Sequence, residues 1–183
     1  IHSTTKELVS AAQMLGNSCT VIVPCTDSSV ADSISSTSGV AKVIVAKSEI
    51  FANYDASGWA SAIDSVTPEG TIITSASPQS KDLAARLAAR RKLSVVQDVV
   101  SIQDGQLTSP VYSGKAMQTV SVSGNTVVSI RQNVFDASPD GGSAEVSVID
   151  ASGNVATAVK ELISRASERL DVSEANIIIS GGR

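Results

Sequence analysis

The chain has 183 residues, of which 42% are apolar and 17% charged, with a net charge of −4. That is enough apolar residue for one domain with a sizeable core, which excludes a broadly disordered chain. An aromatic content of 3% and interspersed charges argue against a base-stacking platform or a basic nucleic-acid stripe.

Residues 4–15 predict an amphipathic helix, with Leu8, Ala11, Ala12 and Leu15 at helical spacing and Gly16-Asn17 as its stop. Residues 19–24 predict a strand, 28–36 a short helix or turn, and 42–46 a second strand. A helix over 57–66 ends before Pro68 and Gly70, and a third strand follows at 71–74. Residues 80–91 form a strong helix with Leu83, Ala84 and Leu87 inward, leading to a β-rich stretch over 94–102. This alternation signals parallel βαβ units, and continuous apolar strands fit a sheet covered by helices on both faces.

The pattern changes after Asp104-Gly105. Residues 109–112, 116–123 and 126–131 have strand character. Gly124-Asn125, between the last two, has the composition of a two-residue hairpin turn and so predicts an antiparallel addition. Residues 137–143 read as a polar Gly/Pro loop, 145–149 as a strand, 155–170 as a helix and 177–179 as a final buried-type strand. The fold class expected is α/β, a Rossmann-like three-layer αβα architecture with a mostly parallel sheet and an added antiparallel hairpin region.

Two features concern the ends. A βαβ domain ordinarily begins with a strand, so a strand ahead of the first helix is expected. Ile177-Ile-Ile179 runs into Ser180-Gly-Gly-Arg183, a strand meeting glycines that let a backbone approach a phosphate. Arg183 could form paired hydrogen bonds to that phosphate, with a helix expected to follow. The same four residues resemble the start of the loop of PP-loop pyrophosphatases, but the position in the chain and the Arg do not match.

Little else carries chemistry. Cys19 and Cys25 do not make a disulfide framework and suit a reducing compartment. Two cysteines and the lone His2 do not make a zinc set. No Gly-x-Ser-x-Gly elbow, Walker loop or His-Glu-x-x-His motif is present, and no apolar run approaches membrane length. Asp136 and Asp140 read as solvated turn residues. Asp98 is expected to orient a nearby backbone group, Trp59 and Met117 to serve as core or interface, and Tyr112 to pack with its hydroxyl at a rim.

Five stretches, in order and spacing, resemble the electron transfer flavoprotein α subunit. They are Lys81-Asp-Leu-Ala-Ala-Arg-Leu-Ala-Ala-Arg90, Val96-Gln-Asp-Val99, Pro110-Val-Tyr-Ser-Gly-Lys-Ala116, Phe135-Asp-Ala137 with Gly141-Gly-Ser143, and residues 175–183. Ser109 and Lys115 stand where that family usually has Arg and Asn. The resemblance implies a Rossmann-like N-terminal domain over 1–174 and the first strand of an FAD domain over 175–183. It implies a scaffold and subunit-interface role without catalytic residues, beside a β subunit. The whole protein would carry electrons by FAD from acyl-CoA and related dehydrogenases of fatty acid β-oxidation to a quinone oxidoreductase. Its compartment would be the mitochondrial matrix, or alternatively a bacterial cytoplasm. Arg183 is the one residue matching a family FAD contact. A free-standing Rossmann-like domain binding a nucleotide such as AMP is the alternative.

Overall fold

The computed structural model describes residues 4–16, 18–27, 32–155 and 177–182. Four helices and nine strands follow in the order α1 (Thr5–Leu15), β1 (Cys19–Cys25), α2 (Asp32–Ser35), β2 (Val40–Lys47), α3 (Ala56–Val66), β3 (Ile72–Ser75), α4 (Pro78–Arg91), β4 (Ser94–Val99), β5 (Ser101–Gln103), β6 (Gln106–Val111), β7 (Ala116–Ser121), β8 (Thr126–Ile130) and β9 (Glu145–Asp150). A single 3-10 turn, Glu49–Ala52, precedes α3.

The helix boundaries have chemical causes. Asp55 caps α3 by accepting from the Gly58 N–H at 2.5 Å. Ser77 caps α4 by accepting from the Ser80 N–H at 3.2 Å, with Pro78 in the first turn, where its missing N–H costs nothing. At the other end of α4, Lys92 takes a left-handed conformation (φ 56°) and Leu93 donates its N–H back to the Ala88 carbonyl at 2.9 Å.

The parallel strands form two three-stranded sheets, β1-β2-β9 and β3-β8-β4. The middle strand of each is its buried element: Val43 and Val45 of β2 and all five residues of β8 are shielded from solvent. Alternation along β8 places helices on opposite faces. Val127 packs on Ala84 and Ala88 of α4, whereas Val128 joins the cluster that holds Ala11 of α1. This is the α/β, Rossmann-like architecture expected, with its parallel sheet divided between β1 and β3.

The antiparallel addition exists, but in a different place. Residues 124–125 do not close a hairpin, because β8 runs parallel to both β3 and β4 and does not pair with β7. Its five buried positions can be covered only at the centre of a sheet, which outweighs the local turn composition. The antiparallel sheet is β5-β6-β7. Its first turn is Asp104-Gly105, both at positive φ (51° and 73°), between the paired Gln103 and Gln106. Its second spans the four residues between the paired Val111 and Ala116.

Two further expectations differ. The stretch read as one β-rich run over 94–102 divides at Val100 into β4 and β5, which belong to different sheets. Ile177, Ile178 and Ile179 are described but form no strand, and their side chains are 82%, 58% and 94% exposed. β-branched composition makes a strand only where a neighbouring edge accepts it, and the described residues pair none with this segment. The helix expected over 155–170 falls beyond Val155 outside the described residues.

Candidate functional site

In an open α/β sheet the ligand-bearing positions lie beyond the carboxyl ends of the parallel strands. At that end of β3, the hydroxyls of Ser75, Ser77 and Ser80 converge: Ser75 and Ser77 each approach Ser80 Oγ at 2.8 Å. One residue on, Lys81 Nζ donates to Asp98 Oδ2 at 2.6 Å. Asp98 occupies a left-handed backbone position (φ 55°) at the β4 irregularity, and its N–H donates to Ser129 Oγ at 3.1 Å. Lys81, Asp98 and Ser129 therefore join α4, β4 and β8 at one edge. The expectation that Asp98 orients a neighbouring group is met by the Lys81 ammonium. The sequence signal for the pair was weak, since the two residues lie on different elements.

A second polar cluster ties α3 to α4. Asp64 accepts from Arg91 Nε at 2.6 Å and from Arg90 Nε at 3.1 Å. Burial pushes the Asp64 carboxyl upward, but the hydrogen bonds and charges of Arg91 and Arg90 outweigh it and hold the group below the usual carboxylate range. Arg91 also donates to the Pro68 and Thr67 carbonyls at 2.7 and 2.5 Å, so it covers the C-terminal end of α3. The basic end of α4 is thus a structural clamp.

The remaining candidates occupy separate places. Asp140 is exposed and accepts from Lys6 Nζ at 2.7 Å. Trp59 sits edge-on to Phe51 and Tyr54 with ring centroids 5.1 and 5.3 Å apart, and donates its indole N–H to the Asn53 carbonyl, as a packing residue should. Burial pushes the Cys19 and Cys25 thiols up, so both are held as poor nucleophiles. Among the described residues no group of three or more His, Cys, Asp and Glu could hold a metal ion. No helix among them is long and apolar enough to cross a membrane. Tyr112 departs from expectation: it does not pack at a rim but stands 80% exposed at the tip of the β6–β7 turn, at φ 50°.

The motif stretches fall into structural roles. Residues 81–90 lie on α4, 96–99 on β4 and 110–116 around the β6–β7 turn. Phe135 enters the core, while the Gly141 and Gly142 N–H groups both donate to the Ser36 carbonyl, at 2.9 and 2.8 Å. An electron transfer flavoprotein domain model matches residues 1–154. The chain belongs to the electron transfer flavoprotein family. It is 31% identical over its whole length to "Electron transfer flavoprotein subunit alpha, mitochondrial" of Arabidopsis thaliana, covering 56% of that protein. It is 32% identical, over 79% of the chain and 48% of the relative, to the α subunit of Bacillus subtilis. Against the α subunit of Mycobacterium leprae the identity is 27% over the whole chain and 60% of the relative. The match is to an α-subunit N-terminal domain, and the chain spans about half the length of these curated relatives.

Flavin adenine dinucleotide needs a cradle for its pyrophosphate and walls for two ring systems. The described residues do not supply one. Residues 180–182 are exposed, and a Cβ built on Gly181 or Gly182 would meet no atom within 4 Å. A backbone so open allows a phosphate to approach but builds no site around it. Arg183, the one residue carried over from the family, lies outside the described residues.

Proposed function

We propose that this chain is the scaffold and subunit-interface domain of an electron transfer flavoprotein α subunit. The observation that carries the reading is the family match over residues 1–154, on an α/β fold whose polar clusters tie elements together. In the whole protein, FAD supplies the redox chemistry. It takes electrons from acyl-CoA and related dehydrogenases of fatty acid β-oxidation and passes them to a membrane quinone oxidoreductase. Residues 1–174 form the N-terminal domain of this reading, and 175–183 open the FAD domain, with Arg183 as a pyrophosphate contact. The chain acts as part of an electron carrier, without a catalytic residue of its own. Mitochondrial relatives from Arabidopsis and rice support placement in the mitochondrial matrix. Bacterial α subunits of comparable identity support a bacterial cytoplasm as the second placement.

The partner in this reading is the β subunit, and the surface offered to it is the tip of the antiparallel sheet. Tyr112 and Met117 are 80% and 56% exposed there. An aromatic and a methionine are residue types enriched at interface centres. Two measurements test the proposal. Titrating the chain with FAD, followed by flavin fluorescence, is expected to show no tight binding, and submicromolar binding would overturn the scaffold role. Light scattering of the chain mixed with a folded β subunit is expected to show a heterodimer. No association, together with AMP binding by calorimetry, would put a free-standing nucleotide-binding domain in its place.

A further inference from the structure

The two parallel sheets face each other across a gap. β1 pairs only with β2, and β3 only with β8, so each turns an unpaired edge toward the other. Between them lies a cleft of about 560 Å³. Facing strand edges with open N–H and C=O groups are costly unless something pairs with them. Every residue of β1 and β3 is only half-buried, although Val21, Ile22, Val23, Ile72 and Ile73 are of the type that fills a core. On the β3 wall, Thr74 Oγ1 is buried with no hydrogen-bond partner.

The helices frame the same gap from two sides. Leu8, Ala12 and Leu15, one stripe of α1, point into the cleft and remain half-buried. Ile63 of α3 with Leu83 and Leu87 of α4 also line it. An occupant would meet apolar side chains from both helix layers and backbone edges from both strands. Only an extended chain, apolar on both faces, satisfies all four walls.

The geometry points to a strand seat: the cleft receives an apolar β-strand of the polypeptide that enters α1, running parallel to β1. The direction follows from the connection. α1 packs on both β1 and β3 and leads into β1, and a strand feeding α1 from beneath it would complete a right-handed βαβ unit with β1. With that strand in place, the two three-stranded sheets become one continuous sheet. The other apolar candidate, residues 177–179, is tethered elsewhere and offers only three residues against the seven of β1.

The test uses Cys19, which lines the cleft, with Cys25, which does not, as an internal reference. The probe is a Val-Ile-Val-Ile-Val extension joined ahead of residue 1, compared with a Ser-Gly-Ser-Gly-Ser extension and with the unextended chain, all in the monomeric fraction. The apolar extension is expected to slow alkylation of Cys19 by about tenfold and to protect the Val21 and Ile73 amides from hydrogen exchange, leaving Cys25 within about twofold. The polar extension is expected to do neither. Equal Cys19 rates for the two extensions would overturn the proposal. So would faster Cys19 alkylation in the unextended chain on deleting residues 177–179, which would make that segment the occupant. Protection of the unextended chain that grows with concentration would assign the seat to a second copy and overturn it equally.

Discussion

Arg91 and Asp64 are joined by a 2.6 Å hydrogen bond between α4 and α3, with 17% and 23% of their side chains exposed. Because Asp64 is held below its usual pKa, its ionised form is favoured in the fold. The sign of the linkage follows. A depressed carboxylate contributes stability above its unfolded value, about 3.9, and loses it as pH falls through the folded value. Asp64→Asn is therefore expected to cost about 1–2 kcal/mol at neutral pH. The gap to the unsubstituted chain should close progressively as pH falls below about 4. Denaturant unfolding at several pH values measures it, and a gap independent of pH would mean that the charge is not the stabilising element.

Arg90 and Arg91 differ although they are neighbours and share Asp64. Arg90 makes one contact and is 47% exposed, whereas Arg91 also reaches the carbonyls at the end of α3. A planar fork meeting several acceptors is not reproduced by an ammonium. Arg91→Ala is expected to cost about 2–3 kcal/mol and Arg91→Lys to recover less than about half of it. Arg90→Ala should cost less than about 1 kcal/mol, as an exposed pair does. Thermal unfolding of the three variants ranks them, and equal losses at 90 and 91 would contradict the clamp.

Gly142 has no freedom to be another residue, for a reason of space. A Cβ there would be driven into the Thr37 carbonyl, where the 137–143 loop crosses the start of β2. The Gly141 and Gly142 N–H groups both bond the Ser36 carbonyl, so the loop cannot simply lift away. Gly142→Ala is expected to cost about 1–3 kcal/mol, in the range of overpacking. Gly181→Ala, in open space, should leave stability unchanged within about 0.5 kcal/mol. Chemical unfolding of the two variants tests the contrast.

Elements whose periodicity matches their burial were legible from the residues. α4 announces itself through Leu83, Ala84 and Leu87 and a Ser-Pro start, and it forms over Pro78–Arg91. β8 is legible as a strand but not in its partners, because pairing across a sheet is a long-range outcome and Gly124-Asn125 carries only local turn preference. Asp104-Gly105, a turn of better composition, was taken only as the point where the pattern changes. Of the site, the Lys81–Asp98 pair was hidden because a bulge at positive φ aims the carboxylate, and no single-residue preference predicts that. The stripe Leu8, Ala12, Leu15 was visible as an apolar face, but not as a face without a strand beneath it. The segment 177–179 shows the reverse case, in which composition reads as strand while the structure pairs it with nothing.

The β6–β7 turn couples stability and docking in opposite directions. Tyr112 and Ser113 lie consecutively at φ 50° and 56°, ahead of Gly114 at 83°. Left-handed backbone is unfavourable for an aromatic residue and tolerated by Asn. Nothing in the burial of Tyr112 compensates, since its ring is almost wholly in solvent. Tyr112→Asn is therefore expected to raise stability by about 0.5–1 kcal/mol, as relief of a strained position does. The same substitution removes the aromatic anchor and should weaken association with the β subunit by at least about tenfold. Ser113→Gly relieves the neighbouring residue while keeping the ring, so it should gain stability without losing affinity. Thermal unfolding paired with calorimetric titration separates the two effects. A Tyr112→Asn chain that is more stable yet binds unchanged would remove this tip from the subunit interface. One that is less stable would show that the left-handed turn draws support from contacts of the ring.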